Sequence, residues 1–454
     1  MSTRLFDPAR QATRDADGNG IYRPDLTPYA APRGESWSIS QRVAFRFAFA
    51  YLVLYNLPFP LSLPPFGGPV ERWYGKVWQL VVPWVGAHVL HLARPITVLP
   101  NGSGDTTFNY VQLLVFVVIA AIAAIVWTLM DHSRREYRRL HQGLRVYIRY
   151  ALAIPMLSYG AFKVIKSQFP DPSLDRLIES YGDFSPMGVI WAWMGTSYAY
   201  NLFAGLAEMT CGLLLFFRRT TTLGALLTMA VMGNVVMVNF AFDVPVKLYS
   251  SNLLLMAVFL LVPDVRRLFD AFFRNRAMPP ADLGTYSVRP VLRAGRLVTK
   301  SAVVLAGIGA PLWMSWNASR RFADDAPRPA LFGIWDVQTV VRGRDTIPPL
   351  LGDTTRWRRF VVSYPGRMTI RLMNDSVRAY RMRADTVKHT VELTSLADST
   401  RLIRFSYVND GDRLRFDGPI GADTVHMSLR RVDHTKFRLL SRGFHWINEF
   451  PFNR

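Results

Sequence analysis

Cysteine is almost absent: the 454-residue chain has one, Cys211, inside an apolar run. Intrachain disulfides, cysteine-rich zinc sites and iron–sulfur clusters are thereby excluded. Acidic residues are also few, 33 against 54 lysines and arginines, for a formal net charge of +21. Such a charge fits a nucleic-acid partner. The arginines argue otherwise, because many stand in short loops between apolar runs, where they read as topology signals. No nucleic acid is expected as a partner. The first forty residues lack a cleavable signal pattern, being polar and arginine-dotted with no short apolar core before a small-residue site. The first membrane segment is therefore expected to act as its own signal. No nucleophile–base–acid arrangement of hydrolytic type is visible.

What the chain has in quantity is apolar residue, 50% of the total. That is more than a soluble domain of this length needs, and it fits several lipid-facing helices. Residues 1–40 read as a disordered cytoplasmic tail. Their Asp15-Ala16-Asp17-Gly18-Asn19-Gly20 resembles the start of a calcium loop, but Leu26 stands where the bidentate Glu belongs and Pro24 obstructs the next helix.

Seven apolar segments approach the ~20 residues a span needs. They are Val43–Leu63, Phe108–Met130, Val146–Lys166, Ser197–Phe217, Thr220–Ala241, Ser250–Val265 and Val298–Trp316. Val77–Leu92 reads as an interfacial or re-entrant helix. Its His88 and His91 are three apart on one helical face, where packing is favoured over metal binding. Gly102-Ser103-Gly104-Asp105-Thr106 reads as a turn and cap before Phe108. Arginines crowd the segments 134–145, 218–219 and 266–296, while 167–196 carries Asp171, Asp175, Glu179 and Asp183. By the positive-inside rule the three basic loops are cytoplasmic, the acidic loop is outside, and the C-terminus is outside. The expected location is a bacterial inner membrane.

From Arg328 the pattern changes. Ile334–Val340, Met368–Leu372, Val391–Thr394, Leu402–Tyr407, Leu414–Phe416 and Phe437–Leu440 alternate with period two. Asn374-Asp375, Asn409–Asp412 and Asp417-Gly418 punctuate them as turns. The fold class expected is a membrane helical bundle plus a C-terminal antiparallel β-barrel. Its parts are a tail (1–40), an N-terminal membrane region (41–145), a four-helix bundle (146–270), a basic loop and last span (271–325), and the barrel (326–454).

Ionisable groups within membrane helices are functional candidates by default. Glu208 lies roughly 15 Å along its helix from Arg218, and Lys163 roughly 21 Å from Arg149, at 1.5 Å per residue. A lysine stem bridges that difference in depth. Tyr159 stands one turn before Lys163, Asn201 two turns before Glu208, and Asn234 at similar depth in the next span. Tyr159, Lys163, Asn201, Glu208 and Asn234 thus form a candidate intramembrane cluster. Two readings stay open: an ion pair that fixes helix packing, or a site that relays protons or binds a polar head group such as a quinone.

With these residues assembled, the chain resembles the DoxX family of bacterial membrane proteins. The resemblance is carried by Met156-Leu157-Ser158-Tyr159-Gly160-Ala161-Phe162-Lys163, by Gly205-Leu206-Ala207-Glu208, and by Leu213 to Thr221 with its basic turn. Asp243-Val244-Pro245-Val246-Lys247 is similar to a DoxX-like subfamily. The resemblance covers about a quarter of the chain and implies a four-helix membrane bundle with redox-linked roles, since relatives include the membrane subunit of a thiosulfate–quinone oxidoreductase. Gly333-Ile334-Trp335 resembles the Gly-x-Trp opening of lipocalin-like barrels, where the Trp closes one end beneath a basic residue, here Arg430, Arg438 or Arg442. Two functions follow as expectations. The first is a redox-associated membrane protein meeting quinone, or a redox partner protein, through the Lys163–Glu208 cluster. The second is a non-enzymatic envelope protein binding lipid or a partner through its barrel.

Overall fold

A computed structural model describes residues 36–62, 67–98, 101–277, 290–421 and 423–453. The expected tail, with its calcium-loop-like segment, lies almost wholly outside the described residues. The helices are α1 (Ile39–Asn56), α2 (Gly67–His88), α3 (Thr107–Met130), α4 (Arg138–Val164), α5 (Leu174–Leu177), α6 (Pro186–Thr196), α7 (Tyr198–Leu215), α8 (Thr221–Ala241), α9 (Lys247–Leu261), α10 (Val265–Phe272), α11 (Pro290–Phe322) and α12 (Arg438–Ser441). Contacts divide the chain into two compact units. One holds the described parts of Met1–Trp78, Val111–Tyr147 and Leu261–Thr285; the other holds those of Gln79–Tyr110, Ile148–Leu260 and Tyr286–Arg454.

Among the described residues, four helical stretches are long and apolar enough to cross a membrane: Thr107–Met130, Arg218–Ala241, Lys247–Phe272 and Leu297–Phe322. The other three expected spans form helices but fall outside this set. In α1 the helix stops at Asn56, before Pro58 and Pro60, because proline cannot donate to the helical ladder. The N-terminal half of α4 is strongly basic, with Arg138, Arg139, Arg145 and Arg149. In α7, only 18 residues long, Asn201 and Glu208 interrupt the apolar run.

In the first unit, the buried Arg46 guanidinium of α1 donates to the Tyr137 hydroxyl (2.7 and 3.0 Å), the Thr128 hydroxyl (2.8 Å) and the Asp131 carbonyl (2.7 Å). Helix α2 starts ten residues earlier than expected, and its Trp78 ring meets Phe116 edge-on at 4.8 Å. Phe116 lies nine residues into α3, so one face of α2 packs on α3, while Trp73, Leu80 and Trp84 on its other side are exposed. The helix ends at His88, which stacks on Trp84 at 5.2 Å; His91 follows at φ +49°. The two histidines therefore do not share a helical face. The Thr106 cap is present: its hydroxyl accepts from the Asn109 amide, and Asn109 Oδ1 accepts from the Thr106 amide at 3.1 Å. Asp105 does something further, accepting from the amides of Lys247 (2.7 Å) and Leu248 (3.0 Å) at the start of α9.

The C-terminal part is a closed antiparallel barrel. Its strands are β1 (Gly333–Arg342), β2 (Asp345–Thr346), β3 (Trp357–Val362), β4 (Arg367–Leu372), β5 (Val377–Asp385), β6 (Thr390–Ser395), β7 (Leu402–Asn409), β8 (Arg413–Ile420) and β9 (Asp423–Val432). Eight strands close the ring through the β1–β9 pairing, and two-residue β2 hangs on β1. Closure removes exposed edges. The inward residues Phe360, Met368, Ile370, Leu372, Val391, Leu393, Phe405, Leu414 and Phe416 are all fully buried, so side chains fill the interior.

Two expected β features are corrected. Asp417-Gly418 is not a turn but part of β8, where the missing side chain lets the strand pass over Arg404 and Phe405. Phe437–Leu440 is not a strand: β9 ends at Val432, and Phe437 leads into α12.

Candidate functional site

The helices α4 and α7 cross on glycine. A Cβ on Gly160 would lie 2.6 Å from the Gly205 carbonyl oxygen, and one on Gly205 would lie 2.7 Å from that of Gly160. Gly212 repeats the contact one heptad on, with a would-be Cβ 2.8 Å from the Ala153 carbonyl oxygen. Small residues let backbones approach in this way where helices pack without a hydrophobic drive.

Beside this crossing Lys163 reaches Glu208. The ammonium lies 2.7 Å from each carboxylate oxygen. Side-chain exposures are 10% for Lys163 and 4% for Glu208, so what access remains is to the cation. Lys163 stands in the last turn of α4, which ends at Val164 rather than Lys166, where a cation also complements the helix C-terminus. The pair is thus closer to one helix end than the residue count suggested.

Aromatic rings enclose the ammonium. The Tyr159 ring centroid is 5.7 Å from Lys163 Nζ and the Phe169 centroid 6.0 Å. Tyr249 of α9 lies 6.1 Å from Tyr159, ring to ring. Phe169 belongs to the segment after α4 and packs with Ile190 and Met194 of α6.

Asn201 is fully buried but does not touch the pair. Its amide nitrogen donates to the carbonyls of Met194 (2.5 Å) and Ser197 (3.1 Å), which fixes its flip, and its Oδ1 is buried without a partner among the described residues. Asn234 is not brought in; its side of α8 is exposed. The buried asparagine of that helix is Asn239, five residues on, which donates to Ser250 of α9 at 2.9 Å. The wrong helical phase placed Asn234 in the cluster.

Sequence reasoning missed Phe169, Tyr249 and two buried arginines. Arg149 donates to the Leu215 carbonyl at 2.9 Å across the α4–α7 crossing. Arg46 sat inside an expected span, so the rule that flagged Glu208 applies equally to it.

At the barrel, Gly333 (φ +149°) precedes Trp335, whose Nε1 donates to the Leu331 carbonyl at 3.0 Å. The cation above the ring is Arg431, 6.0 Å from its centroid, and not Arg430, Arg438 or Arg442. The reason is register: Trp335 pairs with Arg431 across β1–β9, which puts both on one face. Arg442 lies over Phe452 instead. The outer wall at this end, Ile334 and Val361, packs on Leu174, and Ser363 donates to Asp175 at 2.6 Å. The Trp335 end, not an open mouth, thus meets the segment that follows α4.

Over 147 residues, 32% of this chain, the sequence is 31% identical to 93% of the uncharacterized protein YwoB of Bacillus subtilis (strain 168). The chain belongs to the YwoB family. No family model matches it, and no solved structure matches it. YwoB family membership carries no activity with it, because that relative is itself uncharacterized. Any function for this member of the YwoB family rests on the site just described.

Proposed function

We propose that this is a multi-pass membrane protein whose Lys163–Glu208 pair is an intramembrane site for the polar head of a quinone-like molecule. The observation that carries this reading is a nearly buried ion pair whose cation keeps the larger access and faces two aromatic rings. An ammonium in that position donates to a ring carbonyl, and the rings offer stacking surface. Asn201 Oδ1, two turns along α7, is buried without a partner among the described residues. The DoxX resemblance around Tyr159–Lys163 and Glu208 favours the same redox-linked role.

Seven crossings remain the proposed topology, with α1, α4 and α7 joining the four apolar stretches. Pairs at helix ends support it. Asp105 before α3 binds the start of α9. Arg145 near the start of α4 meets Asp264 after α9 at 3.4 Å. Lys166 after α4 meets Asp324 after α11 at 3.0 Å. Each pairing joins ends that seven alternating crossings put on one side, with the N-terminus cytoplasmic and the barrel outside. The filled barrel has no interior for a lipid. Its role in this reading is to brace the segment holding Phe169, five residues before the barrel contact at Leu174.

Mass spectrometry of small molecules extracted from the purified protein tests the proposal. A quinone retained by the wild type and lost from a Lys163→Met, Glu208→Gln double variant supports it. Phospholipid alone in both contradicts it.

A further inference from the structure

The C-terminal segment exposes a dense run of large apolar side chains. Phe444 is 76% exposed, Trp446 90%, Ile447 77% and Phe450 83%. On the barrel itself the large apolar side chains that are more than half exposed, such as Leu351 and Val387, are aliphatic, with no tryptophan or phenylalanine among them. Burying even part of this area is favourable, so a covering surface is expected.

Position in the fold indicates which surface. The segment leaves β9 at Val432, beside Ile334 and thus at the Trp335 end of the barrel. Phe437 packs into the same patch as Leu174 and Ile178. That patch stands just beyond the end of α4, and Lys166 there pairs with Asp324 beyond the end of α11. The last turns of α11 carry exposed Trp313 and Trp316, with the Arg320 guanidinium 5.9 Å from the Trp316 ring. Tryptophan beside arginine at a helix end is the signature of the membrane–water interface. The aromatic tail is therefore tethered, seven residues before Phe444, at the level where such a belt lies. Lys436, Arg438 and Arg442 precede the aromatics, against the single acid Glu449. That is the composition of an interfacial anchor drawn to anionic headgroups.

We infer that residues 438–452 form an interfacial anchor whose Phe444, Trp446, Ile447 and Phe450 enter the headgroup region of the same membrane that the helices span. The occupant of this apolar surface is lipid, not a second chain. The inference rests on the membrane-spanning reading above.

The test uses full-length protein in nanodiscs of zwitterionic and anionic lipid, in a Cys211→Ala background. A fluorophore is placed at Trp446→Cys, at Leu351→Cys and at Ile122→Cys in separate samples, and quenching by nitroxide-bearing lipids is measured. Leu351 is 73% exposed, on the loop at the opposite barrel end, and Trp446, 90% exposed, packs edge-on against the likewise exposed Phe444 ring and not into the barrel core. The expected result is strong quenching at 122 and 446 and little at 351. Quenching at 122 with none at 446 overturns the anchor while the spanning reading stands. No quenching at 122 overturns both. Protection at 446 that depends on protein concentration, without lipid quenching, assigns the surface to a second copy and also overturns the anchor.

Discussion

Lys163 closes on Glu208 with both carboxylate oxygens at 2.7 Å from one ammonium, so each charge has its counter-charge within the pair. Breaking a buried pair from one side leaves a stranded charge and costs about 3–5 kcal/mol, whereas replacing both partners is often neutral. Lys163→Met and Glu208→Gln should therefore each lower the melting temperature in detergent, and the double variant should recover most of the loss. Strictly additive losses would mean that the two residues do not interact.

The glycine crossing sets how closely α4 and α7 approach. Gly205→Leu would push a branched side chain against the Gly160 carbonyl and Val164, where even a Cβ lies at 2.7–2.8 Å. Overpacking of this kind costs about 1–3 kcal/mol or more. The yield of monodisperse protein in size-exclusion chromatography should fall sharply. Gly233→Ala, with open space around it, should behave as wild type. Equal yields from the two variants would contradict the close crossing.

The chemistry of the site was legible further than its geometry. Rare ionisable groups in apolar runs marked Lys163 and Glu208, because such groups are costly in lipid unless paired. Asn234 was misplaced because a polar side chain within a span gives no helical phase, and Asn239 takes the inward position on α8. Phe169 and Tyr249 were invisible because aromatics are common in membrane proteins, and only tertiary packing brings these two to the pair. In the barrel, period-two alternation revealed most strands. It failed at Phe437–Leu440, where Phe437 packs on the outer wall of the barrel and Leu439 is 58% exposed, so neither enters the interior; a pattern of types does not carry which surface a side chain meets.

The barrel has its own core and should fold when excised as residues 328–454. Trp335 is almost fully buried beneath Arg431 and stacks on Phe360 at 6.1 Å. Trp335→Ala should cost about 3–5 kcal/mol, read as a large drop in the midpoint of thermal unfolding by circular dichroism. An unchanged midpoint, or no cooperative transition in the parent domain, would refute the autonomous barrel.

Acid should weaken the same domain. The backbone amide of Thr355 beside Asp353, that of Lys388 beside Asp385, and the hydroxyls of Thr400 beside Asp398 and Thr435 beside Asp433 hold these carboxyls below the ordinary range. A carboxyl with a depressed pKa in the folded state contributes stability above its unfolded value of about 3.9, and that stability is lost as pH falls through the folded value. The melting midpoint should hold between about pH 7 and 5 and decline below about pH 4. Replacing the four aspartates by asparagine should flatten the decline; an equally steep decline in that variant would contradict the assignment.

Calorimetric titration of a short-chain quinone into the full-length protein in nanodiscs tests the central claim most directly. The comparison is between wild type and the Lys163→Met, Glu208→Gln double variant, which should remain folded. Removing a charge-assisted hydrogen bond worth about 1.5–3 kcal/mol predicts at least about a tenfold loss of affinity in the variant. Equal affinity in the two, or no saturable binding to the wild type, would contradict a head-group site and leave the pair as a fastener between α4 and α7.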